Sequence, residues 1–337
     1  MKPNFKKVLI TGGAGYCGSE LVPILLERGY SVKVFDIGYF GTEHLPKQNQ
    51  NLEIVLGDIR DTKSFYNAAV GCDYVINLAC ISNDASFELD EHLSTSINLQ
   101  AFEPMVLAAK KAKIRRFIYA SSSSVYGISS EPNVTEEHPL VPLTLYNKYK
   151  GLCEPLLFKH TDSDFVGTVF RPATVCGKSL RQRFDLSVNI LTNHAVNNGI
   201  IKVFGGTQLR PNLHILDYCD AVIKLLEAED SLIANQIFNV GIQNLSLNQI
   251  STIVKETVEN EFPALGKIPI EVESSNDNRS YHINSEKIKR VLGFAPERTV
   301  ANAVQDLCKG FKLNQYPHSM TDVKYFNVKK LMAISAK

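Results

Sequence analysis

The feature that most constrains the fold is a glycine-rich stretch near the start of the chain, Lys7–Gly18. Val8–Ile10 is a short apolar run typical of a buried strand, and an apolar pattern of helical period follows the glycines. Strand, glycine turn and helix in this order are typical of a dinucleotide site. We expect Gly12 to allow the tight turn, Gly15 to let the backbone approach a pyrophosphate, and Gly18 to let the helix pack close to the strand. The helix N-terminus would offer free N–H groups to the phosphates.

A carboxylate after the next strand indicates which dinucleotide this site takes. The second predicted strand, Ser31–Phe35, is followed by Asp36. It lies about 20 residues after the glycines, the distance at which a carboxylate bonds a ribose 2′-hydroxyl. The same negative charge would repel a 2′-phosphate. The sequence therefore predicts NAD rather than NADP.

The overall composition excludes several classes of partner. Of 337 residues, 44% are apolar, and the net charge of +1 gives no electrostatic case for nucleic acid or an anionic membrane. No stretch reaches the roughly 18 apolar residues of a membrane span. Met1–Phe5 leads straight into the first strand, so we expect no signal peptide. Seven cysteines without a Cys-x-x-Cys pair indicate free thiols and a cytoplasmic protein, and no cluster has the spacing of metal ligands.

The first half of the chain alternates strands with helical patterns, which predicts a parallel sheet covered on both faces. The predicted strands are Val8–Ile10, Val32–Asp36, Glu53–Leu56, Tyr74–Leu78, Phe117–Ala120 and Val166–Phe170. Ligands of open parallel sheets bind beyond the carboxyl ends of the strands. We therefore expect Leu78, Ala79–Asp84 and Ala120–Ser124 at the mouth of the site. Asp58 and Ile59 would lie near the adenine end of the dinucleotide.

The pattern becomes irregular after Arg171, which indicates a second, smaller domain. The elements predicted there are a helix over Phe184–Val196, a strand over Lys202–Phe204, a helix from Asp217 to Ala228, a strand over Gln236–Val240, a helix from a capping box at Ser246–Gln249 to Val258, and a helix over Val300–Phe311. The fold class is α/β, a Rossmann doubly wound parallel sheet with a smaller C-terminal α/β substrate domain. We assign residues 1–170, with returning segments near 207–240, to the dinucleotide domain. Residues 171–206 and 241–316 form the substrate domain, and 317–337 a tail with at most a short helix.

Two further features carry chemistry. A serine run, Ser121–Ser124, ends the fifth predicted strand, and Tyr146 stands four residues before Lys150 on one helix face. A tyrosine pKa of about 10 is too high for a base at neutral pH, and a neighbouring cation lowers it. Tyr146 could then remove a hydroxyl proton as hydride leaves for a nicotinamide, with Lys150 on the nicotinamide ribose. A strand-end serine would hold the substrate oxygen. A second Tyr-x-x-x-Lys, Tyr325–Lys329, follows no serine run, and we interpret it as chance.

With these elements in this order, the chain resembles an extended short-chain dehydrogenase/reductase of the nucleotide-sugar epimerase/dehydratase family, over roughly Lys6 to Asp306. The family's catalytic serine or threonine stands four positions before the tyrosine of its Val-Tyr-Gly element. The resemblance places that residue on Ser122, and the family's tyrosine and lysine on Tyr146 and Lys150. It also implies a homodimer or higher oligomer, paired through the helix candidates Leu93–Ala112 and Tyr146–Phe158.

The resemblance implies which residues contact the ligands. A tightly bound NAD would be contacted by Gly12, Gly15, Tyr16, Cys17, Gly18, Asp36, Asp58, Ile59, Leu78, Ala79, Tyr146 and Lys150. A nucleotide-diphosphate sugar would be contacted by Ser82, Asn83, Ser122, Ser123, Asn189, Arg210 and Arg279. Arg210, in Arg210–Asp217, and Arg279, in Asn276–Tyr281, match elements that grip the diphosphate, and guanidinium forks suit phosphate oxygens.

Departures from the family pattern narrow the reaction. The 4,6-dehydratases carry Thr-Asp-Glu where this chain has Ser122–Ser124, and two serines cannot replace that acid and base. The cysteine and histidine of 3,5-epimerase/reductases are also missing at their positions. Oxidation at sugar C4 remains, by a 4-dehydrogenase or a 4-epimerase. The run Arg181–Asn189 resembles a branch found among enzymes of bacterial surface-polysaccharide biosynthesis, including those that act on GDP-heptoses, and we take a GDP-heptose as a substrate hypothesis. Cys176 replaces a family tyrosine near the sugar, and both it and Cys80 are interpreted as packing residues.

Two alternatives from other classes stay open. One is a non-catalytic NAD-binding regulator, against which the intact set of Ser122, Tyr146 and Lys150 argues. The other is a reductase of non-nucleotide ketones, against which the paired Arg210 and Arg279 argue.

Overall fold

The computed structural model describes residues 6–275 and 280–335. Its strands are β1 (Lys7–Thr11), β2 (Ser31–Asp36), β3 (Leu52–Leu56), β4 (Tyr74–Asn77), β5 (Arg116–Ala120), β6 (Val166–Pro172), β7 (Thr174–Cys176), β8 (Ile201–Phe204), β9 (Leu209–His214), β10 (Gln236–Val240), β11 (Gln243–Ser246) and β12 (Ile270–Glu273).

The helices surround these strands on both faces. They are α1 (Tyr16–Glu27), α2 (Thr62–Ala69), α3 (Asp84–Phe87), α4 (Glu91–Thr95), α5 (Phe102–Lys111), α6 (Leu145–Phe158), α7 (Ser187–Asn198), α8 (Ile215–Glu227), α9 (Asp230–Ile233), α10 (Leu247–Glu261), α11 (Glu286–Leu292), α12 (Val300–Lys312) and α13 (Asn327–Ser335). A π-helical turn, Ser96–Gln100, joins α4 to α5, so the predicted helix Leu93–Ala112 is divided into three parts.

A parallel sheet in the order β10-β6-β5-β4-β1-β2-β3 organises the molecule. Every residue of β4 and β5 is buried, as expected of central strands with helices on both faces. The strand order reverses between β1 and β4, the point at which such sheets bind dinucleotides. The predicted Rossmann sheet is confirmed, with Gln236–Val240 as its last strand.

The smaller sheets lie in the second half of the chain. One has the order β11-β9-β7, and the other pairs β12 with β8. Strand β9 joins β7 in parallel and β11 in antiparallel register. Within the predicted returning segment 207–240, β9 belongs to the smaller sheet, whereas α8 packs in the core of the large sheet and β10 pairs with β6. The apolar faces of α7, α10 and α12 surround the core of this half.

The residues after 316 form a docked segment rather than a loose tail. Tyr325 and Tyr316 pack against Phe184 with ring centroids 5.4 and 5.2 Å away. The backbone N–H of Phe184 donates to the carbonyl of Tyr325 at 2.9 Å. The helix predicted from Phe184 begins only at Ser187, because this aromatic cluster holds the preceding residues. The second Tyr-x-x-x-Lys sequence therefore supports packing, with Lys329 over the ring of Phe326.

Candidate active site

One cavity of about 450 Å³ opens beyond the carboxyl ends of the large sheet, at the predicted switch point. It is lined by the loops after β1 to β5, by residues 181–187, and by parts of the smaller half. The predicted site residues that line it are Gly12, Gly15, Tyr16, Cys17, Gly18, Asp36, Asp58, Ile59, Leu78, Ala79, Ser82, Asn83, Ser122, Ser123, Tyr146, Lys150 and Arg210.

The glycine loop leaves no room for side chains. Gly12 has φ +71°, and a Cβ added there would lie 2.7 Å from the backbone nitrogen of Ala79. A Cβ on Gly18 would lie 2.6 Å from the Cα of Gly13, so Gly18 lets α1 pack on its own loop rather than on the strand. Gly15 is the N-cap residue of α1 and brings no capping side chain. The result is a tightly packed loop, the glycine cradle, which leads into the N-terminus of α1, where the first-turn N–H groups can bind a dinucleotide pyrophosphate.

Asp36 ends β2 at the edge of this cradle. Its carboxylate accepts hydrogen bonds from the backbone N–H groups of Ala14 at 3.0 Å and Gly38 at 2.9 Å. The pKa of Asp36 lies above its ordinary value, because the effect of burial outweighs the opposing effect of these two hydrogen bonds. These bonds hold the side chain at the end of β2, where the prediction puts the ribose 2′-hydroxyl.

The serine run and helix α6 meet at the other end of the cavity. The hydroxyls of Ser122 and Ser124 are 2.7 Å apart, and Ser124 donates to the Asn147 carboxamide oxygen at 2.5 Å. Thr144 caps α6, and its hydroxyl donates to Asp84 at 2.6 Å. This chain of bonds fixes the start of α6, and with it Tyr146, beside the serines.

Lys150 is held one turn further along α6. Its ammonium donates to the Ala120 carbonyl at 2.8 Å and lies 6.0 Å from the centre of the Tyr146 ring. Burial raises the pKa of Tyr146 well above its ordinary value; Cys80 and Asp84 add to the rise, and Arg183 lowers it. Burial therefore outweighs the cations near Tyr146 in setting this pKa. A further positive charge is needed beside the phenol for it to act as a base.

The substrate end of the cavity contains Arg210. Its guanidinium lies over the Tyr281 ring at 5.4 Å and donates to the Leu209 carbonyl at 2.9 Å. Arg279, predicted to share a diphosphate with it, lies outside the described residues. Tyr281 lines the cavity although the sequence reasoning did not single it out.

Asn189 does not lie at the cavity, and its predicted contact with the phosphates is wrong for this structure. The side chain is fully buried. Its oxygen accepts from the Gly177 N–H at 3.0 Å, and its amide donates to the Tyr16 hydroxyl at 3.1 Å and the Arg183 carbonyl at 2.9 Å. The residue therefore fixes the loop before α7 against α1.

The two cysteines near the site differ in position. Cys176 is buried in the core of the smaller half, where its thiol donates to the Leu213 carbonyl at 3.6 Å. Its interpretation as a packing residue agrees with this position. Cys80 instead lines the cavity, beside Tyr146.

Sequence reasoning did not assign a site role to a set of polar residues that line the cavity. They are Arg181, Arg183, Asp185 and Asn327, joined there by the apolar Leu331. The signal for the arginines was the resemblance of the run Arg181–Asn189 to one branch of the family, whereas Asn327 lies in a segment without a clear pattern.

Over residues 6–275 and 280–335, no group of three or more His, Cys, Asp or Glu side chains could hold a metal ion. No helix in the same part of the chain is long and apolar enough to cross a membrane.

Comparison with known proteins identifies the family. A family model described as the NAD dependent epimerase/dehydratase family matches residues 8–241. Protein Agl12 of Haloferax volcanii, a low-salt glycan biosynthesis protein, is 29% identical over 301 residues, covering 86% of this chain and 93% of its own length. UDP-arabinose 4-epimerase 1 of Arabidopsis thaliana is 25% identical over 357 residues, covering 95% and 83%.

The fold comparison agrees. The UDP-glucose 4-epimerase of Thermotoga maritima, solved with UDP-glucose, has a TM-score of 0.79 at 23% identity, over 92% of this chain and 99% of its own. The glycine cradle, Asp36 and the family model together indicate the cofactor. The chain belongs to the NAD-dependent epimerase/dehydratase family of enzymes, and NAD is its cofactor.

Proposed function

We propose that this enzyme oxidises C4 of a nucleotide-diphosphate sugar, with Ser122, Tyr146 and Lys150 as its catalytic residues. The observation that carries the proposal is that all three line one cavity with the glycine cradle at one end and Arg210 at the other. In this arrangement the glycine loop would bind the diphosphate of the dinucleotide and Arg210 that of the nucleotide sugar, with Tyr146 available to both ligands. The 4-epimerases among the relatives support the position of oxidation.

The roles of the side chains follow from their contacts. NAD, when bound, supplies the hydride acceptor and a positive charge close to the phenol. Tyr146 takes the proton of the C4 hydroxyl, since a nearby cation lowers a phenol pKa. Ser122 holds that oxygen, and its bond to Ser124 keeps the hydroxyl oriented. Lys150 is anchored on Ala120 and keeps its remaining N–H groups for a ribose hydroxyl.

Loss of water after the oxidation is not part of the proposal. Ser123 is buried, and Ser124 is bonded to both Ser122 and Asn147, so neither position offers an acid or base. The 4-keto sugar is then either released, by a dehydrogenase, or reduced again on its other face, by a 4-epimerase. The relatives favour UDP-sugars, whereas the Arg181–Asn189 run favours GDP-heptoses.

The first experiment is a near-ultraviolet spectrum of the purified protein before and after addition of GDP-, UDP- and dTDP-sugars. A reduced-nicotinamide band that rises with one sugar supports tight NAD binding and identifies the substrate. A band that persists while a keto sugar is released indicates a dehydrogenase. A band that decays as an epimer appears indicates an epimerase. Absence of any change, even with added NAD, would contradict the proposal and favour the regulator or ketone-reductase alternatives.

The catalytic assignment is tested by Tyr146→Phe. General acid–base catalysis contributes roughly 100-fold to 10,000-fold, so we expect a loss of that order in kcat. Tyr325→Phe is the matched control, because it removes the same hydroxyl from the second Tyr-x-x-x-Lys sequence and keeps the ring that packs on Phe184. Turnover by Tyr146→Phe at the rate of the control would refute the assignment.

We further propose a homodimer in the cytoplasm. Leu107 on α5 and Leu152 on α6 are 48% and 43% exposed, on the helices that the resemblance assigns to pairing. A second copy of the chain would cover them. All seven cysteines are free, which supports a reducing compartment. Sedimentation of the wild type against a Leu107→Glu, Leu152→Glu variant tests the dimer, and a monomeric wild type would contradict it.

A further inference from the structure

Two arginines with incomplete pairing line the cavity. Arg181 and Arg183, in the segment before α7, are only 5% and 6% exposed. The Arg181 guanidinium lies 3.7 Å from the centre of the Phe40 ring, and its backbone N–H donates to Ser19 of α1 at 3.1 Å. These contacts place Arg181 between the end of β2 and the first turns of α1.

The pairing of the two cations is incomplete. Arg183 donates through Nε to Asp185 at 2.8 Å and through Nη1 to Ser82 at 3.1 Å. Arg181 donates through Nη2 to the Asn327 carboxamide oxygen, at 2.7 Å. Within the described part of the chain, Arg181 Nε and Arg183 Nη2 are buried without a hydrogen-bond partner.

Buried cations of this kind are unfavourable without an anion. Burial and the nearby Arg183 lower the pKa of Arg181 to about 9, although Asp185 and Asp36 oppose the fall. Arg183 differs, because its ion pair with Asp185 raises its pKa, so Arg181 is the less well neutralised of the two. A ligand with two negative charges would neutralise both arginines more fully.

The C-terminal helix α13 holds the pair in position. Asn327, its first residue, accepts from Arg181 and donates to Ser82 at 2.9 Å. Its backbone N–H donates to Asp185 at 2.7 Å, the same carboxylate that pairs with Arg183. Asn327 is thus hydrogen-bonded to Arg181 directly and linked to Arg183 through Asp185.

We propose that Arg181 and Arg183 bind the diphosphate of the dinucleotide together with the glycine loop, and that Asn327 is the positioning residue that holds them there. The glycine cradle, Gly12–Gly18, forms the glycine wall. Arg181, Arg183 and Asn327 form the arginine wall. The inference rests on the NAD dependence of the family and not on the proposed sugar chemistry, so either can fail alone.

The test measures affinity by calorimetry on protein stripped of cofactor, with NAD, ADP-ribose, adenosine and UDP as ligands. Charge-assisted hydrogen bonds are among the stronger ones, so Arg181→Gln should weaken NAD and ADP-ribose roughly tenfold to 100-fold and leave adenosine unchanged. Asn327→Ala should weaken the same two ligands roughly threefold to tenfold. Lys329→Gln, which removes a positive charge from the same helix, is the control and should change none of them.

The other outcomes each decide the proposal. If UDP weakens and ADP-ribose does not, the arginines bind the nucleotide sugar and the proposal is wrong. If Arg181→Gln weakens adenosine as much as ADP-ribose, the substitution has damaged the site as a whole. Arg181→Lys then distinguishes the two causes, because it restores ADP-ribose binding if the positive charge is what matters. Without ligand, Arg181→Gln should melt no lower than the wild type, because it removes a buried, poorly paired cation. A lower melting temperature together with unchanged ADP-ribose affinity would assign Arg181 a purely structural role.

Discussion

The glycine wall and the arginine wall face the same cavity but are built in opposite ways. The glycine wall lies within seven consecutive residues, and its shape requires that Gly12 and Gly18 have no side chain. The arginine wall is made of side chains, and its two parts, Arg181 and Asn327, are 146 residues apart in the chain. The first is local and readable from spacing. The arginine wall forms only after the segment before α7 has packed against α1 and α13, so a substitution in any of these segments can disturb it.

Among the parts of the site that are built from side chains, the largest loss of stability is expected at the buried ion pair that supports the serine run. Glu154 and Arg171 pair at 2.6 Å with both side chains 3% exposed, and Glu154 also accepts from the Ser121 hydroxyl. Glu154→Ala leaves a buried arginine unpaired, which should cost about 3–5 kcal/mol of unfolding free energy. Urea titration of the cofactor-free protein measures it.

The control for that change is Glu227→Ala, which breaks the exposed pair with Arg28 at 3.6 Å. It should cost at most about 1 kcal/mol. A similar loss of unfolding free energy in both variants would show that the buried ion pair contributes no more to stability than the exposed one.

The glycine wall should fail through sterics instead. Gly12→Ala forces a Cβ onto the backbone of Ala79 at positive φ, and should cost about 3 kcal/mol together with ADP-ribose binding. Gly71→Ala is the matched control, with φ +77° but open space around it. It should cost only about 1–2 kcal/mol, the price of the backbone conformation. Equal losses of unfolding free energy for the two variants, measured by urea titration, would mean that the backbone at Ala79 moves to accommodate the added Cβ.

A third prediction concerns cofactor choice at the edge of the glycine wall. Asp36→Asn keeps an oxygen for the N–H groups of Ala14 and Gly38 but removes the charge that repels a 2′-phosphate. The preference for NAD over NADP should fall about tenfold, which is about 1.4 kcal/mol. The ratio of the two dissociation constants measures it. Asp58→Asn, at the end of β3, should leave the ratio unchanged, and a shift as large as that of Asp36→Asn would contradict the assignment.

The smallest effect for a single group concerns pH. Burial raises the pKa of the Cys153 thiol from 9.0 to about 12. Above pH 9 the unfolded chain loses this proton while the folded protein keeps it, so the free energy of unfolding falls as pH rises towards 12. Cys153 should account for less than about 1 kcal/mol of that fall between pH 8 and pH 9.5.

Buried thiols in the two halves of the molecule can be compared in the same way. Cys153→Ala, in the half with the large sheet, and Cys176→Ala, in the smaller half, should flatten the pH dependence equally, because burial raises the pKa of both thiols to about 12. Urea titrations across that pH range measure both slopes. Unequal slopes would mean that water reaches one core more easily.

The sequence was informative where spacing is local. Gly12, Asp36 and the pair Tyr146 and Lys150 could be predicted because each lies at a strand end or on one helix turn. Strand β9 could not, since its Leu-Arg-Pro-Asn-Leu-His sequence is polar and contains a proline, and only its pairing with β7 and β11 makes it a strand. Asn189 carries a side chain suited to phosphate, but long-range bonds to Tyr16 and Gly177 turn it inwards.

The position of Asn327 also sets an order of events during synthesis. The ribosome completes all strands of the large sheet by Val240, long before Asn327 is added. Chains fold from the N-terminus as they are made. We therefore expect the nascent protein to present the glycine wall to NAD from an open cavity and to acquire Arg181 in its final position only when α13 docks. Cofactor capture and cofactor retention would then be separate stages in the life of the molecule.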